Sequence, residues 1–135
     1  MTLKNQARSI SQKLSNIARE RDTAFLNVLT EFLIERLLMR IVSDKELHRA
    51  LVFNGGFVGL KIYSSPRYTV DLDAVLSKAD LRNTLDGVRQ AAEQDLGDAV
   101  WFRFERETDL TAQGEYGGIR LLFRTGIGEI LKDLK

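Results

Sequence analysis

Leu51-Val52-Phe53-Asn54-Gly55-Gly56, followed by Arg67-Tyr68-Thr69-Val70-Asp71-Leu72-Asp73, is the stretch that decides the fold. It sets a glycine turn after an apolar run and then two acids in alternation inside an apolar segment. Side chains at i and i+2 of a strand share a face, so Asp71 and Asp73 project together. Two carboxylates on one face of a largely buried strand repel each other and are costly to desolvate. A divalent cation removes that penalty, and Mg²⁺ commonly takes one or two protein carboxylates together with substrate phosphates. Gly55-Gly56 lies between the apolar run 50–53 and Phe57–Tyr63, which is expected to be a short helix. A strand–turn–helix of this kind aims backbone N–H groups and a helix N-terminus at an anion. A metal-chelated triphosphate satisfies both halves of the pattern.

Gly-Gly followed some fifteen residues later by Asp-x-Asp resembles the signature of the DNA polymerase β-like nucleotidyltransferase superfamily. The fuller string is similar to the AbiEii-type abortive-infection toxin family. The resemblance rests on Leu51–Phe57, Leu60-Lys61-Ile62-Tyr63 and Arg67-x-Thr69-x-Asp71-Leu72-Asp73. Glu115-Tyr116-Gly117-Gly118-Ile119-Arg120 adds the family's Tyr-Gly-Gly-apolar-Arg strand entry. The similarity extends from about Phe32 to the C-terminus. Asn54 departs from it, standing where lysine is common. The family's third carboxylate, on a neighbouring strand, is a second departure. Asp133 and Glu129 are the candidates near its place, neither in an apolar run of the expected kind, and the chain reads as a fragment.

The resemblance implies an α/β (α+β) fold with a nucleotidyltransferase-like mixed β-sheet flanked by helices, preceded by N-terminal helices. Residues 1–49 are expected to form the helical segment and 50–135 the catalytic core. It also implies nucleotidyl transfer from an NTP to an acceptor such as tRNA, within a toxin–antitoxin or phage-defence system that includes an antitoxin protein. Asp71 and Asp73 are the expected catalytic and Mg²⁺-binding residues. Gly55, Gly56, Arg67 and Thr69 are the expected nucleotide- and phosphate-binding residues. By the same resemblance, the Thr69 hydroxyl is where phosphorylation by a partner would silence the site, through added negative charge that competes with the nucleotide.

Composition narrows the classes. A 135-residue chain fits one domain able to bury roughly two-thirds of its unfolded surface. Twenty basic residues balance nineteen acidic ones, so overall charge advertises no polyanion partner and only a local basic patch is compatible with one. No cysteine is present, which excludes disulfides and thiolate metal sites, and one histidine excludes a His-rich zinc site. The N-terminus lacks a signal-peptide pattern, and no apolar run is long enough for a membrane span. A cytoplasmic protein without membrane contact is expected.

Periodicity predicts helices over Asn5–Arg19 and from an Asp22 cap to about Val42, then a short turn capped by Ser43-Asp44. Leu51–Asn54 and Val70–Leu76 are expected strands, with Ser64-Ser65-Pro66 a loop between Phe57–Tyr63 and the acidic strand. A helix capped by Ser77 is expected from Ala79 to about Asp95, ending near Gly97. Val100–Glu107 and Ile119–Arg124 complete the strands, with Phe102 and Phe104 in the core and Trp101 on the other face.

Each signal has a plainer reading. Asp-x-Asp alone is an ordinary acidic pair on an edge strand, Gly-Gly alone a tight turn, and Lys61 a solvated cation. Arg120 and Arg124 share a face with Leu122 between them, as a solvated sheet face or as a basic strip toward nucleotide or tRNA. His48 is assigned no chemistry. Two other functions stand beside transfer. One is a non-catalytic binding or regulatory module with this fold and an incomplete site. The other is a phosphohydrolase with an Asp nucleophile, which the upstream Gly-Gly disfavours. An exposed apolar edge in place of a missing strand would predict a homodimer.

Overall fold

The computed structural model describes residues 2–45, 47, 57–65, 69–76, 81–109 and 119–129. Two helices come first, α1 (Leu3–Glu20) and α2 (Phe25–Ser43). They are followed by strands β1 (Phe57–Ser65) and β2 (Thr69–Leu76), helix α3 (Leu81–Ala92), and strands β3 (Val100–Asp109) and β4 (Ile119–Ile127). This is an α+β architecture with N-terminal helices, as expected.

Thr2 caps α1, its hydroxyl accepting from the Asn5 N–H at 3.1 Å. The other end corrects the expectation that Asp22 caps α2. Asp22 has φ 52 and closes α1: its N–H reaches the Arg19 carbonyl at 3.2 Å and the Thr23 N–H reaches Ala18 at 3.0 Å. That is a Schellman termination with an aspartate in the left-handed position usually held by glycine. Helix α2 starts at an Ala24 N-cap without a side-chain bond. At its far end the cap is as expected, Asp44 Oδ1 accepting from the Leu47 N–H at 2.8 Å.

Helix α2 is apolar on two sides because it is sandwiched. Val28 packs with Leu14 and Ala18 of α1. Leu33, Leu37 and Ile41 enter the main core with Leu85 and Val88 of α3 and with Val70, Val100, Phe102, Leu121 and Phe123 of the sheet. Helix α3 is shorter than its periodicity suggests and stops at Ala92 rather than near Asp95.

The larger correction concerns Phe57–Tyr63, expected as a helix. It lies in strand β1, paired antiparallel with β2 from Phe57↔Leu76 to Ser65↔Thr69. Val58, Leu60 and Ile62 alternate with Gly59, Lys61 and Tyr63, a period-two pattern rich in β-branched and aromatic residues. Cross-strand pairing exploits that pattern, whereas seven residues give a helix little cooperative gain. Ser64 and Ser65 likewise belong to β1 rather than to a loop. The strand order is β1-β2-β4-β3, and every described pairing is antiparallel. The expected strand Leu51–Asn54, the Ser77 cap and His48 lie outside the described residues.

Candidate functional site

Strand β2 is flanked on both sides, by β1 and by β4. Val70 and Leu72 lie opposite Phe123 and Leu121, which are fully buried beneath the helices. Thr69, Asp71 and Asp73 are the alternating positions and so fall on the sheet face away from that core. Across β4 they meet Arg124, Leu122 and Arg120 respectively. Across β1 they meet Ser65, Tyr63 and Lys61. The sheet thus gathers Asp71, Asp73, Thr69, Lys61, Arg120 and Arg124 on one face, and Tyr63 joins them through its register with Asp71.

Strand β3 extends this face by an irregularity. Arg103 lies opposite Arg124, but the register shifts between Phe104 and Arg106, so Glu105 is the extra residue of a bulge. Beyond it Arg106 lies opposite Leu122 and Thr108 opposite Arg120, whereas Glu107 and Asp109 lie opposite core-facing Leu121 and Ile119. Strict alternation would have set Arg103 with Glu105, Glu107 and Asp109. The bulge sorts the charges, putting arginines on the face of Asp71 and Asp73 and the later acids on the other. Exposed acids along β3 also discourage pairing of this sheet edge with another chain.

Trp101 occupies the same face beside Gly126, as expected from its alternation with Phe102 and Phe104. The indole lies so close that a Cβ on residue 126 would come within 2.8 Å of its Cζ2. Only 8% of Trp101 is exposed, and its Nε1–H has no hydrogen-bond partner; Arg124 Nη2 is likewise buried and unpartnered.

Behind the sheet sits a network that the sequence did not announce. Arg40 of α2 is fully buried, and all five of its N–H donors are used. Nε donates to the Gln94 carbonyl at 3.1 Å, and Nη1 to Arg36 O at 3.1 Å and Asp98 Oδ2 at 3.0 Å. Nη2 donates to Asp98 Oδ1 at 2.9 Å and Val100 O at 2.8 Å. The guanidinium carbon lies 5.1 Å from the Phe102 ring centroid. Asp98 also accepts from Arg36 Nε at 2.8 Å and from the Val100 N–H at 3.1 Å. Burial pushes its carboxyl up, but the Arg40 hydrogen bonds, the Val100 N–H, the Arg40 charge and the Arg36 hydrogen bond together hold it below its ordinary value. The early end of α3 frees the Gln94 carbonyl for this role. Left-handed Gly97 (φ 72) and Ala99 (φ 63) turn the backbone on either side of Asp98. The one hint in sequence is an arginine three residues beyond Leu37, on the buried stripe of α2.

Gly55, Gly56, Arg67 and Asp133 lie outside the described residues. Since β1 begins at Phe57, the helix expected directly after Gly56 is not there. Glu129, the other candidate third carboxylate, is exposed just past the end of β4. Among the described residues no group of three or more acidic or histidine side chains is arranged to hold a metal. Asp71 and Asp73 occupy register positions on one strand face, and carboxylate oxygens are the donor type that suits Mg²⁺. No described helix is long and apolar enough to cross a membrane.

A family model described as "Nucleotidyl transferase AbiEii toxin, Type IV TA system" matches residues 36–134, well over half of the chain. The match takes in α2 from Arg36 onward as well as all four strands. No curated protein and no solved structure matches the chain.

Proposed function

The chain belongs to the AbiEii nucleotidyltransferase toxin family, and on that premise we propose that it is a metal-dependent enzyme transferring a nucleotide from an NTP to an acceptor such as tRNA. The observation that supports this most directly is the register that sets Asp71 and Asp73 on one sheet face with Thr69, Lys61, Arg120 and Arg124. In this reading Asp71 and Asp73 hold Mg²⁺, which when bound neutralises the triphosphate and favours in-line displacement. The backbone of Gly55 and Gly56 and the Arg67 fork hold the phosphates, and the Thr69 hydroxyl orients one of them. One carboxylate of the acid pair takes the proton of the acceptor hydroxyl as its oxygen bonds to the α-phosphorus and pyrophosphate leaves. The family places such enzymes in type IV toxin–antitoxin systems. An antitoxin protein is therefore the proposed partner, acting in the cytoplasm, and self-association into a homodimer is a further proposal.

Calorimetric titration of each NTP, with and without Mg²⁺, into the wild type and the Asp71→Ala/Asp73→Ala double variant tests this. Binding that requires the metal and is lost in the variant is the expected result. Absence of metal-dependent binding to the folded wild type sinks it. It would leave a nucleotidyltransferase-fold module that binds or regulates without transferring.

A further inference from the structure

We propose that Trp101, Arg103 and Arg124 form an oxyanion site for a phosphate group on the face of β3–β4 opposite the described helices, distinct from the Asp71–Asp73 pair. The three residues occupy a two-by-two block of the ladder, Trp101↔Gly126 beside Arg103↔Arg124. Like charges directly opposite each other in an antiparallel pair are destabilising unless a counter-charge lies between them. No carboxylate is paired with either arginine among the described residues. In the same block two donors are buried without acceptors, Trp101 Nε1 and Arg124 Nη2. Native interiors seldom tolerate that, and an absent ion is one of the standard explanations.

Three features of the block specify the ligand. Its donors are all N–H, so the ligand supplies acceptor oxygens. Two facing cations match a group carrying up to two negative charges, which a carboxylate does not supply. A guanidinium fork matches tetrahedral phosphate geometry, and the indole contributes one directional bond. Trp101 is held in place from below by Gly126, where no side chain fits. The Glu105 bulge then brings Arg106 onto the same face, which extends the positive surface along β3. The Arg103–Arg124 row continues to Thr69, so the site adjoins the phosphate end of the proposed transfer site. It lies one same-face step, about 7 Å along the strands, from the row containing Asp71. A nucleotide's phosphate and a phosphodiester of a polynucleotide present the same oxygens here.

Trp101 is the chain's one tryptophan, so its indole ¹H–¹⁵N resonance reports this site alone. The experiment titrates metal-free protein with inorganic phosphate, and in a second arm with a short single-stranded RNA, against chloride at matched ionic strength. Saturable movement of the indole peak is expected, with the midpoint weakened about tenfold or more in Arg124→Gln and about tenfold in exposed Arg103→Gln. A tighter midpoint for RNA than for phosphate assigns the source as a polynucleotide backbone; the reverse assigns it as a free phosphate group. The Asp71→Ala/Asp73→Ala variant is expected to keep the response, which separates this site from the transfer reading. An immobile peak in folded protein overturns the proposal. So does equal movement with chloride, an unchanged midpoint in Arg103→Gln, or loss of the response in the Asp71/Asp73 variant.

Discussion

Removing the carboxylate of Asp98 is the perturbation whose cost the structure states most fully. Asp98→Ala takes two charge-assisted bonds from Arg40, one from Arg36 and the acceptor of the Val100 N–H. Arg40 then keeps three carbonyl acceptors but remains a fully buried charge with no counter-ion. Breaking a buried pair from one side costs about 3–5 kcal/mol. For a domain of this size that is a large share of total stability and lowers the Tm by roughly 10–20 °C. Urea unfolding at pH 7 measures it. The double variant Arg40→Met/Asp98→Ala removes the orphaned charge as well, so it should be more stable than Asp98→Ala alone, with strong non-additivity in the cycle.

The sign of the pH dependence follows from the same contacts. Asp98 titrates below its ordinary value of 3.8 in the folded chain. Its contribution is therefore complete above the unfolded value and is lost as pH falls through the folded one. The gap between wild type and Asp98→Asn should be constant from pH 7 to 5 and narrow below pH 3.8. A cost under about 1 kcal/mol for Asp98→Ala, the size of an exposed ion pair, would refute the burial argument. Additive single and double variants would refute the coupling.

Three further outcomes follow from local geometry. Gly126→Ala must displace the indole, since its Cβ would lie 2.8 Å from Trp101 Cζ2; a loss of about 1–3 kcal/mol and an altered tryptophan near-UV circular dichroism signal are expected. Gly97→Ala meets nothing within 4 Å of the new Cβ, so a loss of about 1 kcal/mol in urea unfolding would come from its left-handed φ alone. Asp22→Gly should be more stable than Asp22→Ala by about 1 kcal/mol, because residue 22 terminates α1 in a left-handed conformation rather than capping α2.

What the sequence made legible was whatever has a local period or a local chemical signature. Helix α1 and strands β2, β3 and β4 are found at the expected places within a few residues, because their apolar spacing matches the faces they bury. The burial of Phe102 opposite Trp101 follows from the same alternation. Phe57–Tyr63, expected as a helix, is a strand: a glycine turn before an apolar run suits helix and strand equally. The decision lay in the non-local pairing with β2. The charge-sorting bulge at Glu105 was equally hidden, since an extra residue shifts the phase only once the partner strand is known. Arg40 and Asp98 lie far apart in the chain, and neither sits in a motif.

The correction to β1 changes how the acid pair is to be understood. With Phe57–Tyr63 as a helix, β2 would have lacked this antiparallel neighbour, and a helix N-terminus would have shared the work of holding an anion. With β1 in place, β2 is an interior strand whose backbone is fixed by ladders on both sides. Side chains that act together need such a platform, because carboxylates on a mobile segment do not hold the geometry transfer requires. By register, Asp73 stands opposite Lys61 on one side and Arg120 on the other. The same logic reaches Arg40, whose bonds to Asp98 and Val100 anchor the start of β3 to α2 and so set the strand carrying Trp101 and Arg103. Loss of Asp98 should therefore loosen the proposed phosphate site before it disturbs β2. Indole movement by phosphate in Asp98→Asn should weaken while NTP binding persists, and simultaneous loss of both would place the network's influence on the sheet as a whole.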